Sequence, residues 1–593
     1  MGSCLILYAT QSGDAEEMAV RIWSPLRCFE ESLGSPVSIG EYKAVDLATE
    51  GRVVLFVVST TGDGVVPDEM KIFWRILLNR NLSNTALADL RYSVVGLGDS
   101  GYDLFNAAAR KLDKRLLSLG AKQCLQPVLC DAADPLTTDK AMDEFQSSLL
   151  KLLYGPTSET SQYKIPPPVY AVKATPGLNS ESMASTKWSS TSSGGVSSGR
   201  LSMASVISNT GLSDPSIEGR DVRHVKLKTI KPMDYSPGDV VYVYPRNPSQ
   251  AVESFLDMMR LDGNQVVEIE ARGPSLNVRS PCSIREIVYG HLDLLGTPSR
   301  RFMEKLSGYA VEERERERLS YLASEEGSGE LYQYAVSESR STALVFRDFP
   351  SVRPGLSDLL GLVPRLRPRA FSIASSSRAT PGEIHLCAAI VRYRTSLPNL
   401  PERVGLCSGF LSQLDPNDLV PFRITRGTLN FPNEPCGPVI MVGPGTGIAP
   451  FRAFLLHSSR VDTVRLPNVY QSRYENDVDL PNKALLRWTR FFIFQKFELF
   501  FGCRREAEDF LFKEELTSLE STGRLSLLVT AFSREQRQKV YVQDKIASHQ
   551  NELASLLDHD DARIYVAGTA GAMPKAVRAF VNSSAASNLR QTT

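Results

Sequence analysis

Short apolar runs alternate with helix-like segments over the first 150 residues. The runs are CLILYA, VVLFVVST, YSVVGLG and AKQCLQPVL. The helix-like segments are residues 14–33, 66–80, 103–119 and 138–153. Buried strands joined by helices form a parallel sheet that is covered on both faces. The pattern therefore predicts a doubly wound α/β domain with binding loops at the carboxyl ends of its strands.

The pattern changes three times after this domain. Ser, Gly and Pro dominate the stretch that follows, β-like sequence appears at 201–245 and 362–430, and strand and helix alternation returns after Pro438. Mostly helix-like sequence between the two β-like stretches favours a helical insertion in a β-barrel. The predicted domains are an α/β domain at 1–153, a flexible linker at 154–200, a β-barrel at 201–434 with its insertion at about 250–350, and a second α/β domain at 435–593 with an insertion at about 458–496.

Composition agrees with several globular domains. The chain has 593 residues, 42% of them hydrophobic and 23% charged, with a formal net charge of zero. Single cores rarely exceed roughly 250–300 residues. Residues 1–150 contain 14 Lys and Arg against 20 Asp and Glu, a net −6 that the remainder balances. An acidic domain beside a basic remainder could dock within the chain, steer toward basic partners or simply be solvated. Nothing here favours nucleic-acid binding.

The cysteines and the N-terminal residues indicate the cellular compartment in which the protein is expected. The nine cysteines include no Cys-x-x-Cys pair and no His/Cys cluster at metal-ligand spacing, so we expect neither a disulfide framework nor a metal site. No apolar run approaches the roughly 20 residues of a membrane span, and no basic leader precedes the first strand. Ile6 replaces the hydroxyl residue of a myristoylation signal. We expect a cytoplasmic protein without membrane attachment.

Glycine-rich loops follow the strands of both α/β domains. The first domain offers TQSGDA, STTGDGVVPDEM and GLGDSGYDLFN, and the last domain offers GPGTGIAP. A turn that opens a helix suits a phosphate, because backbone N–H groups and the helix dipole point at it. Each loop alone is also compatible with a plain tight connection. Their occurrence in separate domains with a barrel between them favours several nucleotide sites.

Motifs along nearly the whole chain resemble those of the diflavin reductase family. They are YATQSGDAEEMA, GLGDSGYDLFN, RAFSIASSS, GLCSGFL, MVGPGTGIAPFRAF, FFGCRRE, AFSREQRQKVYVQ and IYVAGTAGAMPKAV. The resemblance implies a flavodoxin-like FMN domain, an FAD-binding barrel and a ferredoxin-reductase-like NADPH domain. It also implies that electrons pass from NADPH to FAD, then FMN, then a one-electron acceptor. The chain is most similar to the soluble branch serving cytosolic iron–sulfur assembly, whose acceptor is an anamorsin-type iron–sulfur protein.

The resemblance places FMN on the three loops of the first domain. Tyr102 would stack on the flavin ring, and Thr61 stands where the microsomal reductase has an aromatic residue, as a threonine also does in the soluble branch. Asp14 replaces the usual Thr or Asn, so a carboxylate near the phosphate predicts weaker FMN retention unless it caps the helix. The expected FMN residues are Thr10, Gln11, Ser12, Gly13, Asp14, Ala15, Thr60, Thr61, Gly62, Asp63, Gly64, Leu97, Gly98, Asp99, Tyr102, Phe105, Asn106 and Asp131.

FAD and NADPH residues follow from the same resemblance. Ser372 is the expected catalytic residue, with its hydroxyl at flavin N5. The expected FAD residues are Arg369, Ala370, Phe371, Ser372, Gly405, Leu406, Cys407 and Ser408. The expected NADPH residues are Gly443, Gly445, Thr446, Gly447, Cys503, Arg504, Ser533, Arg534, Lys539, Tyr541 and Gln543. Cations and hydroxyls suit a 2′-phosphate, whereas an NAD site would offer an acid, so NADPH is favoured over NADH.

Two departures from the family pattern leave alternatives open. The chain closes with AASNLRQTT where the family continues to a strand that covers FAD, and residues 458–496 interrupt a short expected path. The altered C-terminus predicts impaired hydride transfer or relaxed nucleotide selectivity. Residues 458–496 are expected to form a surface excursion, or else the translated sequence is imperfect there and at the C-terminus. Ala567 replaces the cysteine of the microsomal branch and suits the soluble branch. A non-catalytic flavin-binding scaffold and a reductase for haem proteins or sulfite remain alternative functions.

Overall fold

The computed structural model describes most of the chain. The described residues are 3–61, 64–102, 104–155, 167–179, 201–214, 217, 221–271, 273, 276, 278, 280–394, 402–432, 437–458, 496–559, 561–568 and 572–591. They pack into two compact units. Unit 1 is drawn from Met1–Arg200, Tyr244–Arg369 and Tyr393–Phe410. Unit 2 is drawn from Leu201–Val243, Ala370–Arg392 and Leu411–Thr593.

The elements are numbered in chain order. The strands are β1 (Cys4–Ala9), β2 (Val37–Ser38), β3 (Val53–Ser59), β4 (Arg91–Gly98), β5 (Lys122–Gln123), β6 (Val128–Asp131), β7 (Tyr170–Asn179), β8 (Ser202–Gly211), β9 (Val222–Thr229), β10 (Val240–Val243), β11 (Gln265–Ala271), β12 (Cys282–Ser283), β13 (Arg369–Ser372), β14 (Glu383–Ala389), β15 (Arg392–Tyr393), β16 (Arg403–Val404), β17 (Leu419–Thr425), β18 (Val439–Val442), β19 (Phe497–Cys503), β20 (Leu527–Phe532) and β21 (Arg563–Val566).

The α-helices are α1 (Asp14–Leu26), α2 (Lys71–Leu77), α3 (Ala107–Ser118), α4 (Pro135–Tyr154), α5 (Ser249–Met259), α6 (Ile284–Gly290), α7 (Arg300–Ser307), α8 (Glu313–Ala323), α9 (Ser328–Leu331), α10 (Thr342–Asp348), α11 (Leu356–Leu362), α12 (Leu406–Ser412), α13 (Ala449–Ser458), α14 (Glu506–Asp509), α15 (Lys513–Ser521), α16 (Val542–Ser548), α17 (Gln550–Leu557) and α18 (Ala572–Gln591). Short 3-10 helices lie at Ala44–Thr49, Asp68–Met70 and Gly445–Ile448, and a π-helical turn lies at Tyr332–Ser337.

Unit 1 contains a six-stranded parallel sheet with the strand order β2-β1-β3-β4-β5, and β6 also pairs with β4. All seven residues of β3 are buried, as expected for a central strand covered on both faces. Buried apolar residues of α1 and α3 pack in the two hydrophobic clusters of this domain. The predicted doubly wound fold is confirmed, and its three binding loops follow β1, β3 and β4.

The helical insertion also belongs to unit 1, and both it and the predicted linker contain strands that were not expected. Helices α5 to α11 fill it as expected, but a strand, β11, separates the first two helices. β11 pairs antiparallel with β12 and with β7. The assignment of residues 170–179 to the flexible linker is therefore wrong. The residues of β7 pair with β11, and Tyr170 is buried. The Ser/Gly/Pro-rich sequence around this stretch gave no sign of a strand.

Unit 2 combines the barrel and the last α/β domain. The barrel sheet has the order β13-β10-β17-β8-β9-β14, and a bridge between Ile373 and Leu386 joins its two outer strands. The last domain has a parallel sheet of order β20-β19-β18-β21. Its insertion at about 458–496 lies almost wholly outside the described residues. In the described part of the chain, no helix has the length and apolarity needed to cross a membrane.

Candidate functional site

The turn after β1 gathers backbone amides around one hydroxyl. The Oγ1 atom of Thr10 accepts hydrogen bonds from the amide of Gly13 at 2.8 Å and the amide of Ala15 at 3.3 Å. Gly13 has φ +103°, a conformation that side chains other than glycine rarely adopt. These amides and the N-terminus of α1 converge on one point, which is the arrangement that binds a phosphate.

Asp14 does not face this turn as an unpaired carboxylate. It begins α1, accepts a hydrogen bond from the Ser12 hydroxyl, and its Oδ1 lies 3.3 Å from Nη1 of Arg367. Arg367 also pairs with Glu17, 350 residues earlier in the chain. From the sequence, helix capping was the only expected relief for Asp14. The arginine could not be predicted, because sequence spacing does not show such a distant contact.

A cavity of about 740 Å³ opens beside the turn within unit 1. Many of the predicted FMN residues line it together, namely Gln11, Ser12, Asp14, Thr60, Thr61, Leu97, Gly98, Asp99, Tyr102, Phe105, Asn106 and Asp131. Thr10, Gly13 and Ala15 form the adjoining turn, while Gly62 and Asp63 lie outside the described residues. The sequence therefore predicted a set of residues that the fold brings to one cavity.

Hydrogen bonds fix the conformation of the third loop, which follows β4 and contains Tyr102. The amide of Tyr102 donates to the carbonyl oxygen of Asp99 at 3.2 Å. Oδ1 of Asp131 accepts from the amides of Ser100 at 3.0 Å and Ala133 at 2.9 Å. Hydrogen bonds from the Ser100 side chain and from these amides hold the pKa of Asp131 below its ordinary value. Tyr102 is 54% exposed, so its ring is available for stacking on a flat ligand.

The second loop packs closely against the third. The Oγ1 atom of Thr60 accepts from the amide of Ala108 at 3.3 Å, and Thr61 forms a β-bridge with Val65. Gly64 has φ +71°, and a Cβ there would lie 2.9 Å from Cβ of Leu104. A glycine-lined phosphate turn, an exposed aromatic and a cavity of this volume fit a flavin mononucleotide.

The predicted FAD residues are divided between the two units. In unit 1, Nη1 of Arg369 donates to the carbonyl oxygen of Arg367 at 3.1 Å. Gly405 precedes α12, which opens with Leu406, Cys407 and Ser408, and the Ser408 hydroxyl donates to the Gly405 carbonyl at 3.1 Å. Burial raises the pKa of the Cys407 thiol to about 12, so this side chain acts as a neutral core residue.

In unit 2, the residues of the motif that are predicted to contact the flavin lie on β13. Ala370 and Ser372 are exposed, while Phe371 is half-buried. Strand alternation places Ala370 and Ser372 on one face and Phe371 on the other. The next residues are fixed in the barrel, since the Tyr235 hydroxyl lies 2.6 Å from Oγ of Ser375.

The loop after β18 leaves no room for side chains at two of its glycines. A Cβ on Gly443 would lie 2.6 Å from the Phe451 ring, and a Cβ on Gly447 would lie 2.4 Å from the carbonyl oxygen of Ala567. Gly445 has φ +56° and opens the 3-10 helix that contains Thr446. The loop then continues into α13. This close backbone approach at a strand-to-helix turn fits a pyrophosphate.

The predicted 2′-phosphate residues come from two adjacent parallel strands. The amide of Ser533 donates to the Cys503 carbonyl at 3.0 Å, and the amide of Arg534 donates to the Arg504 carbonyl at 2.8 Å. Lys539 and Tyr541 are exposed in the following segment. Gln543 lies in the first turn of α16. The two strand ends thus bring two arginines together, and burial lowers the pKa of Arg504, as does the nearby Arg534.

Cys503 should be chemically inert in the native protein. Burial, followed by the charges of Glu535 and Glu506, raises the pKa of its thiol to about 12. Only the thiolate is nucleophilic, so we expect negligible alkylation of Cys503 by iodoacetamide at pH 8. Peptide mass spectrometry measures this directly, with the urea-unfolded chain as the reactive control. Equal labelling of Cys503 in both samples would contradict the expectation.

Two arginines, the half-buried Arg365 and the buried Arg452, were not singled out from the sequence. Arg365 lies 2.9 Å from Glu16 through Nη2, and Arg452 donates to the Ala374 carbonyl at 2.6 Å. Arg365 lies shortly before the RAFSIASSS motif and Arg452 lies within MVGPGTGIAPFRAF, but neither was among the expected site residues. Among the described residues, no group of three or more His, Cys, Asp or Glu side chains could hold a metal ion.

Comparisons with known proteins cover the same three regions. Family models match as flavodoxin over residues 6–145, FAD binding domain over 195–410 and oxidoreductase NAD-binding domain over 441–579. NADPH-dependent diflavin oxidoreductase 1 of Bos taurus is 36% identical over 96% of this chain and 92% of its own length. The protein of the same name from Arabidopsis thaliana is 35% identical over 96% of this chain and 92% of its own.

A more distant relative agrees. NADPH-dependent diflavin oxidoreductase 1 of Dictyostelium discoideum is 31% identical over 99% of this chain and 91% of its own length. The three domain types occur in the order expected for FMN, FAD and NADPH, which are the cofactors of this oxidoreductase. The chain belongs to the NADPH-dependent diflavin oxidoreductase family.

Proposed function

We propose that this oxidoreductase takes electrons from NADPH through FAD and FMN to an anamorsin-type iron–sulfur protein in the cytoplasm. The bound nicotinamide and flavins supply the hydride and single-electron chemistry. The observation that carries the proposal is the convergence of the three FMN loops on one cavity, in a chain similar to its relatives over nearly its full length.

The side chains contribute binding and orientation. Thr10 and Gly13 shape the turn for the FMN phosphate, and Tyr102 offers its exposed ring to the flavin. Ser372 stands on the exposed face of β13, where a hydroxyl can accept or donate a hydrogen bond at flavin N5. Arg534 supplies positive charge for a 2′-phosphate, which supports a preference for NADPH over NADH.

The acceptor follows from the resemblance to the soluble branch. Thr61 in the second loop and Ala567 after β21 are the residues typical of that branch. The flavodoxin-like domain is acidic, which supports an acceptor whose contact surface is basic or an acceptor steered by charge. The same resemblance supports the cytoplasm as the place of action.

We expect the purified full chain to contain one FMN and one FAD and to reduce an anamorsin-type protein when NADPH is supplied. Flavin release with chromatography gives the content, and anaerobic bleaching of the iron–sulfur absorbance gives the rate. NADH and cytochrome c are run in parallel. The variant Arg534→Ala should raise KM for NADPH by about tenfold or more, because it removes a cation expected at the 2′-phosphate. KM for NADH, which has no 2′-phosphate, should change little.

Other outcomes separate the alternatives. Flavins bound without reduction of any acceptor would favour a scaffold. Faster reduction of a haem mono-oxygenase or of sulfite than of the iron–sulfur protein would favour the other reductase classes. Either result would overturn the proposed acceptor.

A further inference from the structure

The arginine that covers the phosphate turn belongs to a distant part of the chain. Arg367 lies in the segment between α11 and β13, whereas the turn lies between β1 and α1, and both belong to unit 1. A Cβ on Gly13 would lie 2.8 Å from Nη1 of Arg367. The guanidinium is therefore in contact with the backbone that would hold a phosphate.

The helix that follows this turn begins with acidic side chains, while arginines and a lysine line the cavity beside it. The first turn of α1 contains Asp14, Glu16 and Glu17. Arg365 is paired with Glu16, and Arg367 is the arginine whose guanidinium lies against Gly13 of the turn. A phosphate dianion added to these carboxylates would be repelled without a counter-charge.

The guanidinium of Arg367 retains binding capacity. Its side chain is 20% exposed, and its Nη2 pairs with Glu17. Its Nη1 is buried and has no hydrogen-bond partner within the described part of the chain, although Oδ1 of Asp14 lies 3.3 Å away. A buried guanidinium N–H normally finds an acceptor, and phosphate oxygens are among the strongest acceptors for it.

We propose that Arg367 binds the FMN phosphate and offsets the charge of Asp14 at the turn. This inference rests on the proposed assignment of the turn to FMN. It makes FMN affinity depend on a residue outside the flavodoxin-like domain. If Arg367 served only to hold the carboxylates, its removal would leave the phosphate site intact and FMN affinity unchanged.

The test uses FMN-depleted full chain and measures flavin affinity by fluorescence titration. We expect Arg367→Gln to weaken FMN binding at least about tenfold, while riboflavin binding, which involves no phosphate, stays unchanged. Arg367→Lys should recover part of the loss because it restores the charge. Arg75→Gln is the matched control, since Arg75 is an exposed arginine of α2 in the same unit, and it should change neither affinity.

Asp14→Asn provides a second measurement should the arginine variants fold poorly. It should tighten FMN binding without affecting riboflavin. Unchanged FMN affinity in Arg367→Gln, or equal losses for FMN and riboflavin, would overturn the inference. Wild-type binding of one FMN with NADPH-driven reduction of the anamorsin-type protein would show that the proposed function stands even then.

Discussion

Gly447→Ala is expected to lower kcat/KM for NADPH by about 100-fold, because shifting a substrate-positioning loop by about 1 Å can cost that much. The added Cβ would lie 2.4 Å from the Ala567 carbonyl oxygen and 2.9 Å from its carbonyl carbon. Both neighbours are backbone, so the clash is relieved only by moving the loop between β18 and α13 or the backbone that follows β21. Steady-state reduction of cytochrome c over a range of NADPH concentrations measures the effect.

Flavin content provides the internal control for this variant. FMN should stay bound, because the FMN turn and cavity lie in unit 1 and Gly447 lies in unit 2. Gly329→Ala is the matched substitution, since no atom lies within 4 Å of a Cβ built there. A decrease of less than about threefold for Gly447→Ala would show that the loop absorbs a methyl group and would remove the steric argument.

Glu515→Ala is expected to destabilise unit 2 by about 3 kcal/mol, because it leaves a buried guanidinium without its counter-ion. The Arg452 side chain is 7% exposed, and its Nη2 lies 2.8 Å from Oε2 of Glu515. The guanidinium also lies 4.5 Å from the centre of the Phe512 ring. Arg452 joins α13 to the barrel through the Ala374 carbonyl, so its position affects both domains of unit 2.

Differential scanning calorimetry should detect this loss as a transition lowered by about 6–12 °C. Glu508→Ala is the control, because Glu508 pairs with Arg505, whose side chain is 52% exposed. An exposed pair contributes at most about 1 kcal/mol. Equal shifts in the two variants would contradict the assignment of Glu515 as the partly exposed counter-ion that stabilises the buried Arg452.

Local patterns were sufficient to predict much of this fold. The strand β3 is an almost continuous apolar run, and all of its residues are buried. This run was enough to predict a central strand of a parallel sheet. The loops after β1, β3 and β4 could be predicted to meet because parallel strands end at the same edge. Tyr102 and Asp131 therefore line one cavity, as the resemblance led us to expect.

Long-range contacts explain what the sequence did not reveal. β7 lies in a stretch whose composition is typical of a linker, and only its pairing with β11, nearly a hundred residues later, makes it a strand. Arg365 and Arg367 precede the RAFSIASSS motif and have no local pattern that points to α1. The charge of Asp14 could be read from the sequence, but its partner depends on the folded chain.

The distance in sequence between the acidic turn and its arginines also bears on how the protein is made. The pairs Glu16 with Arg365 and Glu17 with Arg367 join residues 349 and 350 positions apart. A ribosome adding about 5–20 residues per second needs roughly 20–70 s to make the intervening chain. Throughout that interval the nascent flavodoxin-like domain carries its acidic turn without either guanidinium. Tight FMN capture is therefore expected only after the ribosome has translated Arg367.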